Sequence, residues 1–197
     1  MRRTAQLLVG IAFLGGCGGE QIPTEITANL QPQAVANRGS GEADEKESAS
    51  VSKDLATLRR VTAPFHRFET ATAAGWSAQI TPCMTDPNGA GAMGFHYGNV
   101  GLIDGSVSVD KPELLLYEPE KNGRLHLVAV EYIIPYTFVP RSAAPPELFG
   151  QKFLQNDTFQ LWGLHAWVWK ENPRGIFASW NPKVTCDDAT AVMSMSH

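Results

Sequence analysis

Three polar residues stand inside runs otherwise built for burial. Glu131 lies in Val128-Ala129-Val130-Glu131-Tyr132-Ile133-Ile134, His165 in Leu164-His165-Ala166-Trp167, and His96 in Gly94-Phe95-His96-Tyr97. A carboxylate on an apolar strand is costly unless it is paired or bound to a cation. Two imidazoles and a carboxylate arriving from three strands form a donor set suited to Zn2+ or a non-haem iron, with a position left open for water or a ligand. His96, Glu131 and His165 are therefore the candidate metal ligands. Glu131, or Glu118 at the end of Leu114-Leu115-Leu116-Tyr117-Glu118, is the candidate general base of an enzyme built on such a centre. Tyr97, Tyr132 and Trp167 are the candidate lining of a small-ligand pocket. The plain alternative is that each polar residue is satisfied in the core by backbone or by a tyrosine.

Several other chemistries are absent. The chain has no HExxH, CxxC, Walker A loop, GxSxG or EF-hand loop. Gly89-Ala90-Gly91-Ala92-Met93-Gly94 fits GxGxxG, but it follows a turn and precedes strand-like residues, whereas a dinucleotide site needs a strand before and a helix after. It reads as a Gly-rich loop. The formal charge is -4 and no basic run or stripe occurs, so nucleic acid is not an expected partner. Trp162, Trp167, Trp169 and Trp180 read as core aromatics in preference to a sugar-stacking platform. His66, beside Arg67 and Glu69, reads as solvated.

The elements that must carry these residues follow from periodicity. Leu55, Leu58, Thr62, Phe65 and Phe68 recur at helical spacing, with Ser52 as a plausible N-cap. Pro64 interrupts the stripe, which predicts two short helices or one kinked helix, with Thr62 capping the second, and Gly75 closes the segment. Strand patterns then run over 76–82, 93–100, 114–118, 124–134, 161–170 and 176–180. Asn122-Gly123 marks the clearest hairpin. Residues 145–153 read as a loop with a short helical turn. The period-2 rule places Glu131 on one face with Leu125, Leu127, Ala129 and Ile133, and His126 on the other. The sum is an α+β domain, its N-terminal helices packed on an antiparallel sheet of about five to seven strands. A helix-capped β-barrel is the alternative.

The N-terminus carries an address. Arg2 and Arg3 precede a short apolar run, Leu7 to Leu14, far below the roughly 20 residues needed to span a bilayer. Leu14-Gly15-Gly16-Cys17 resembles the bacterial lipobox, which implies cleavage before Cys17 and lipid attachment there. Residues 1–16 are then a lipoprotein signal peptide, 17–52 a lipid anchor and disordered tether, and 53–197 one globular domain. The acidic stretch Gly39 to Ser50 supports the tether reading, having no apolar periodicity. Among three cysteines, a lipidated Cys17 leaves Cys83 and Cys186 to pair in an oxidising compartment.

GFHYGN, PELLLYEP, GRLHLVAVEYIIP, PPELFGQKF and LHAWVWKENPRGIFASWNPKVTC, in that order, resemble an uncharacterised family of small exported bacterial proteins, over roughly residues 55–186. The resemblance implies domain limits and export and carries no activity; the outer membrane or cell surface is implied by the lipobox resemblance, in which Gly18 and not Asp follows Cys17. The expected function is accordingly an exported lipoprotein, in contact with a membrane through its anchor, whose domain binds a small molecule or metal ion in a polar pocket. A metal-dependent hydrolase or proton-transfer enzyme is the second expectation, and an envelope protein without pocket chemistry the third.

Overall fold

In the computed structural model, which describes residues 38–193, helices come first and the sheet second. Helix α1 spans Arg38–Thr62, a 3-10 turn follows at Ala63–His66, and α2 spans Phe68–Ala73. Residues 38–52, read above as tether, are thus helical, and Ser52 lies inside α1 instead of capping it. The first half of α1 has no apolar stripe, so periodicity gives no signal there. Ala, Glu and Lys supply helix propensity instead, and Val51, Leu55 and the fully buried Leu58 fasten the helix to the core. The break at Pro64 occurs as expected, but Thr62 does not cap: its Oγ1 donates back to Leu58 O at 2.7 Å and accepts from Trp169 Nε1 at 3.0 Å. Gly75 closes the segment at φ +112°, in the left-handed region that favours glycine. The leader, Cys17 and the first part of the tether lie outside the described residues. No helix among the described residues is long and apolar enough to cross a membrane.

Among the described residues eight strands follow. β1 (Ala78–Thr85), β2 (Ala92–Gly98), β3 (Leu114–Pro119) and β4 (Leu125–Pro135) form an antiparallel meander. β5 (Glu147–Leu148) pairs only with β6 (Gln151–Lys152), a small hairpin where a helical turn was expected; Phe149 and Gly150 at its tip both have positive φ, which a helical turn excludes. β7 (Leu154–Asn156) and β8 (Leu161–Ala166) complete the main sheet, whose order is β1-β2-β3-β4-β8-β7. The sheet curls into a half-barrel against the helices, an α+β domain as predicted. The segment 176–180 is not a strand; a bond from Trp167 N to Ile176 O and a single bridge between Ala92 and Asn181 hold it.

The two faces of the sheet bury separate cores. Leu58, Tyr97, Tyr117, Leu127 and Tyr132 lie on the helix side. Met93, Leu116, Val128, Ile133 and Trp167 lie on the other, under the C-terminal segment. One irregularity decides what faces where. Leu116 pairs with Ala129 and Tyr117 with Leu127, so Val128 is an extra residue, a bulge in β4. Leu125 and Leu127 therefore join the helix-side core, while Ala129 and Ile133 join the opposite one. The sequence-based face containing Leu125, Leu127 and Glu131 together is corrected by this single bulge. Cys83 of β1 is disulfide-bonded to Cys186, pinning the C-terminal segment over the non-helical face, with Cα atoms 5.8 Å apart.

Candidate metal centre

His96, Glu131 and His165 come from β2, β4 and β8, three different strands of the one sheet. Glu131 and His165 are direct cross-strand partners. His96 reaches them over β3, where Leu116 is its own partner and Leu114 is the partner of Glu131. Adjacent strands are about 4.8 Å apart, so two spacings leave roughly 10 Å to be closed by side-chain length and sheet curl. Both contribute here: one donor atom from each of the three residues lies within 4.8 Å of the others.

His96 Nε2 is 3.5 Å from Glu131 Oε2, and His165 Nε2 is 3.8 Å from Glu131 Oε1. These separations are too long for good hydrogen bonds. They leave the carboxyl oxygens and both Nε2 atoms arranged around a common space. All three residues are buried. Among the described residues, His165 Nε2 is the buried side-chain polar atom without a hydrogen-bond partner. On its other nitrogen His96 is held: Nδ1 lies 2.8 Å from Thr81 Oγ1. Donation from Nδ1–H to that oxygen turns the Nε2 lone pair toward Glu131, the outer-shell arrangement metal-binding histidines generally use. The His165 ring stacks on Trp167, at 10° between planes. Gly163 of β8 supplies room for the carboxylate, since a Cβ there would stand 2.8 Å from Glu131 Oε1.

Burial sets the protonation states. It pushes Glu131 up to about 8, with the buried Glu113 adding to the effect. It pushes His96 down to about 4, opposed by the Gly94 backbone, and His165 down to about 3, with His96 adding to the fall. At neutral pH the imidazoles are therefore uncharged, with lone pairs free for a cation, and the carboxyl holds a proton it can release.

A cavity of about 270 Å³ opens beside the cluster. His96 and Glu131 line it, together with apolar side chains including Ile80 of β1, Leu114 of β3, Phe159 between β7 and β8, and Trp180 of the C-terminal segment. None of the three expected pocket residues lines this cavity. Trp167 stacks beside His165, with Nε1 donating to Ala178 O at 2.6 Å. Tyr97 and Tyr132 each neighbour a candidate ligand in sequence, so strand alternation sends them to the helix-side core. Tyr132 there donates to Val109 O at 2.8 Å, and Tyr97 to Gln79 Oε1 at 3.3 Å. Glu118, the second candidate base, is also elsewhere. It pairs with Lys170 Nζ at 2.5 Å and accepts from Thr185 N at 3.0 Å. His66 is exposed, as read, with its ring edge-on against Trp169, centroids 4.3 Å apart.

Two participants escape the sequence reading. Thr81 orients His96 from the neighbouring strand, a pairing that only the register reveals. Glu113 is almost fully buried just before β3, accepts from Ile133 N at 3.1 Å and so closes the β3–β4 ladder; its carboxyl is pushed up to about 8 by burial. An acid immediately ahead of an apolar run was its only visible sign. No protein-family model, curated protein or solved structure matches the chain.

Proposed function

We propose that this protein is an exported, lipid-anchored envelope protein whose globular domain binds a divalent metal ion, zinc or iron, through His96, Glu131 and His165, beside a pocket for a small ligand. The observation that carries the reading is the convergence of three buried donors within 4.8 Å, with His165 Nε2 lacking any other partner. An unpaired buried polar atom costs about 1–3 kcal/mol, and a cation between the three residues would satisfy it. Two histidines and one carboxylate leave a four-coordinate ion one open position. Binding is favoured over hydrolysis because Glu118, the further carboxylate a catalytic reading would use, is tied up with Lys170 and Thr185.

Export and anchoring rest on the lipobox-like Leu14-Gly15-Gly16-Cys17 and on the Cys83–Cys186 bond, a kind of cross-link that persists in oxidising compartments. That bond leaves Cys17 as the one cysteine outside it.

Elemental analysis of untagged protein purified without chelators tests the metal. Near-stoichiometric zinc or iron, lost in His96→Ala and in His165→Ala, is expected. Metal-free protein whose melting temperature ignores added Zn2+ and Fe2+ would overturn the reading. Fractionation of Cys17→Ser tests the anchor: it should leave the membrane fraction, and its retention there would remove the lipoprotein assignment.

A further inference from the structure

We infer that the cavity beside the centre receives a small apolar monoanion of the medium-chain aliphatic carboxylate class, its head on the metal and its tail among the apolar walls. The inference rests on the metal reading above and names the ligand of that same site.

Charge supplies the first argument. A divalent ion held by one carboxylate and two neutral imidazoles carries a net charge of +1. Among the described residues lining the cavity, His96 and Glu131 are the only ionisable ones; Thr81, Asn156 and Thr158 are polar but uncharged. No further ionisable group lines the wall to neutralise the surplus; Glu113, the buried acid that acts on Glu131, lies outside the lining and accepts from Ile133 N, and an unbalanced buried charge is costly. A single negative charge at the open coordination position does neutralise it, while a dianion or a cation does not.

The walls supply the second argument. Met84, Met93, Leu114, Ile133 and Trp180 line the space beyond the ligands. Ile80 and Phe159 stand at its edge, 43% and 45% exposed, large apolar side chains that water alone would not favour there. Hydroxide or chloride would satisfy the charge and leave these walls uncovered. An alkyl chain meets both requirements.

Volume sets the length. At roughly 30 Å³ for each water-sized group, a cavity of about 270 Å³ takes about nine heavy atoms. Octanoate has ten heavy atoms, and with one carboxylate oxygen on the metal the remaining nine match that capacity. His165 stays outside the lining, so the tail extends on the side of His96 and Glu131.

The test is calorimetric titration of octanoate into the full chain, zinc-loaded and metal-free, with zinc content measured in each sample. Octanoate should bind the zinc-loaded chain one to one and the metal-free chain at least tenfold more weakly. Acetate, which lacks the tail, and octylamine, which reverses the charge, should each bind at least tenfold more weakly than octanoate. Ile80→Glu, which puts a negative charge at the exposed edge, should cut octanoate affinity at least tenfold and keep its zinc. Stoichiometric zinc without octanoate binding below millimolar concentration overturns the carboxylate assignment alone, as does equal binding of octanoate and octylamine. Absence of zinc from the protein overturns the metal reading and this one with it.

Discussion

Glu131 and His165 face each other directly across β4 and β8, yet His165 Nε2 stands 3.8 Å from Glu131 Oε1 and has no hydrogen-bond partner among the described residues. Neighbours on a sheet with no obstruction between them would ordinarily close to hydrogen-bonding distance. A gap of this size leaves room for an ion between the two side chains, as the proposed metal site needs. The first prediction follows from it. His165→Leu removes a polar atom that the metal-free protein cannot satisfy, so metal-free stability should hold or rise by about 1 kcal/mol. The same variant should lose the stabilisation that zinc confers on the parent, about 4 kcal/mol when zinc is 1,000-fold above its Kd. Denaturant melts with and without zinc measure both. A large loss of metal-free stability in His165→Leu would mean that the imidazole has a structural role instead.

Protons give a second prediction. Glu131 is pushed up to about 8, and His96 and His165 down to about 4 and about 3, so at pH 7 only Glu131 holds a proton that the metal must displace. Zinc uptake at pH 7 should release close to one proton, not two or three. Apparent affinity should rise about tenfold per pH unit up to about 8 and flatten above it. Calorimetry in two buffers of different ionisation enthalpy counts the proton; a count near zero would mean the carboxyl is already ionised in the free protein.

The same groups shape stability against pH in the metal-free protein. Glu113 and Glu131 bind their protons more tightly when folded, each moving from 4.5 to about 8. Their contribution is full below pH 4.5 and falls through about 8. The two histidines shift the opposite way from 6.5, so their contribution is full above 6.5 and falls as pH drops toward 3–4. Each group has a slope of roughly 1.4 kcal/mol per pH unit within its window. Between 4.5 and 6.5 the two acids and two bases oppose each other, so stability should be nearly level there, then decline from 6.5 to 8. Glu113→Gln keeps an acceptor for Ile133 N and removes one acid, so it should roughly halve that decline. Urea midpoints taken across pH 4–9 decide it; a parent curve that climbs from pH 6.5 to 8 would contradict the assigned burial.

A fourth prediction separates fold from anchor. The Cys83–Cys186 bond closes a separation of 103 residues. The chain-entropy relation for a loop of that size gives about 4–5 kcal/mol. Cys83→Ser and Cys186→Ser should each lose stability on that scale, and so should the parent under reductant. Cys17→Ser should keep parental stability, read by the same denaturant curve.

His96, Glu131 and His165 were legible as candidates because each breaks an apolar run, and polar residues in such positions need partners; that they converge was not, because it depends on the strand order and register that set them across β2, β4 and β8. The order of helices and strands was legible from the change of period at Gly75. The pocket walls were not. Tyr97 and Tyr132 adjoin candidate ligands in sequence, but alternation turns them to the other face. Val128 is an ordinary β residue, and only the pairing of Leu116 with Ala129 and Tyr117 with Leu127 exposes it as a bulge. The early start of α1 was hidden for a related reason: its first half is held by propensity and leaves no apolar stripe to read.

Gly163 offers the sharpest test, because it could affect the metal without supplying a donor. It pairs with Ile133 on one side and Leu154 on the other, so its backbone is fixed in mid-sheet. A methyl group there would come within 2.8 Å of Glu131 Oε1, closer than a carbon and an oxygen can settle. Glu131 cannot retreat toward β3, since Leu114 of that strand is fully packed against the same face. The carboxylate must therefore turn away from His165. Gly163→Ala should lower zinc affinity at least tenfold while keeping the disulfide and the sheet, read by zinc competition against a chromophoric chelator alongside circular dichroism. Loss of affinity should be reversed in part by Gly163→Ala combined with Glu131→Asp, whose shorter side chain draws the carboxylate back from the added methyl. If Gly163→Ala bound zinc as tightly as the parent, Glu131 Oε1 would not be a ligand, and the ion would have to lie elsewhere.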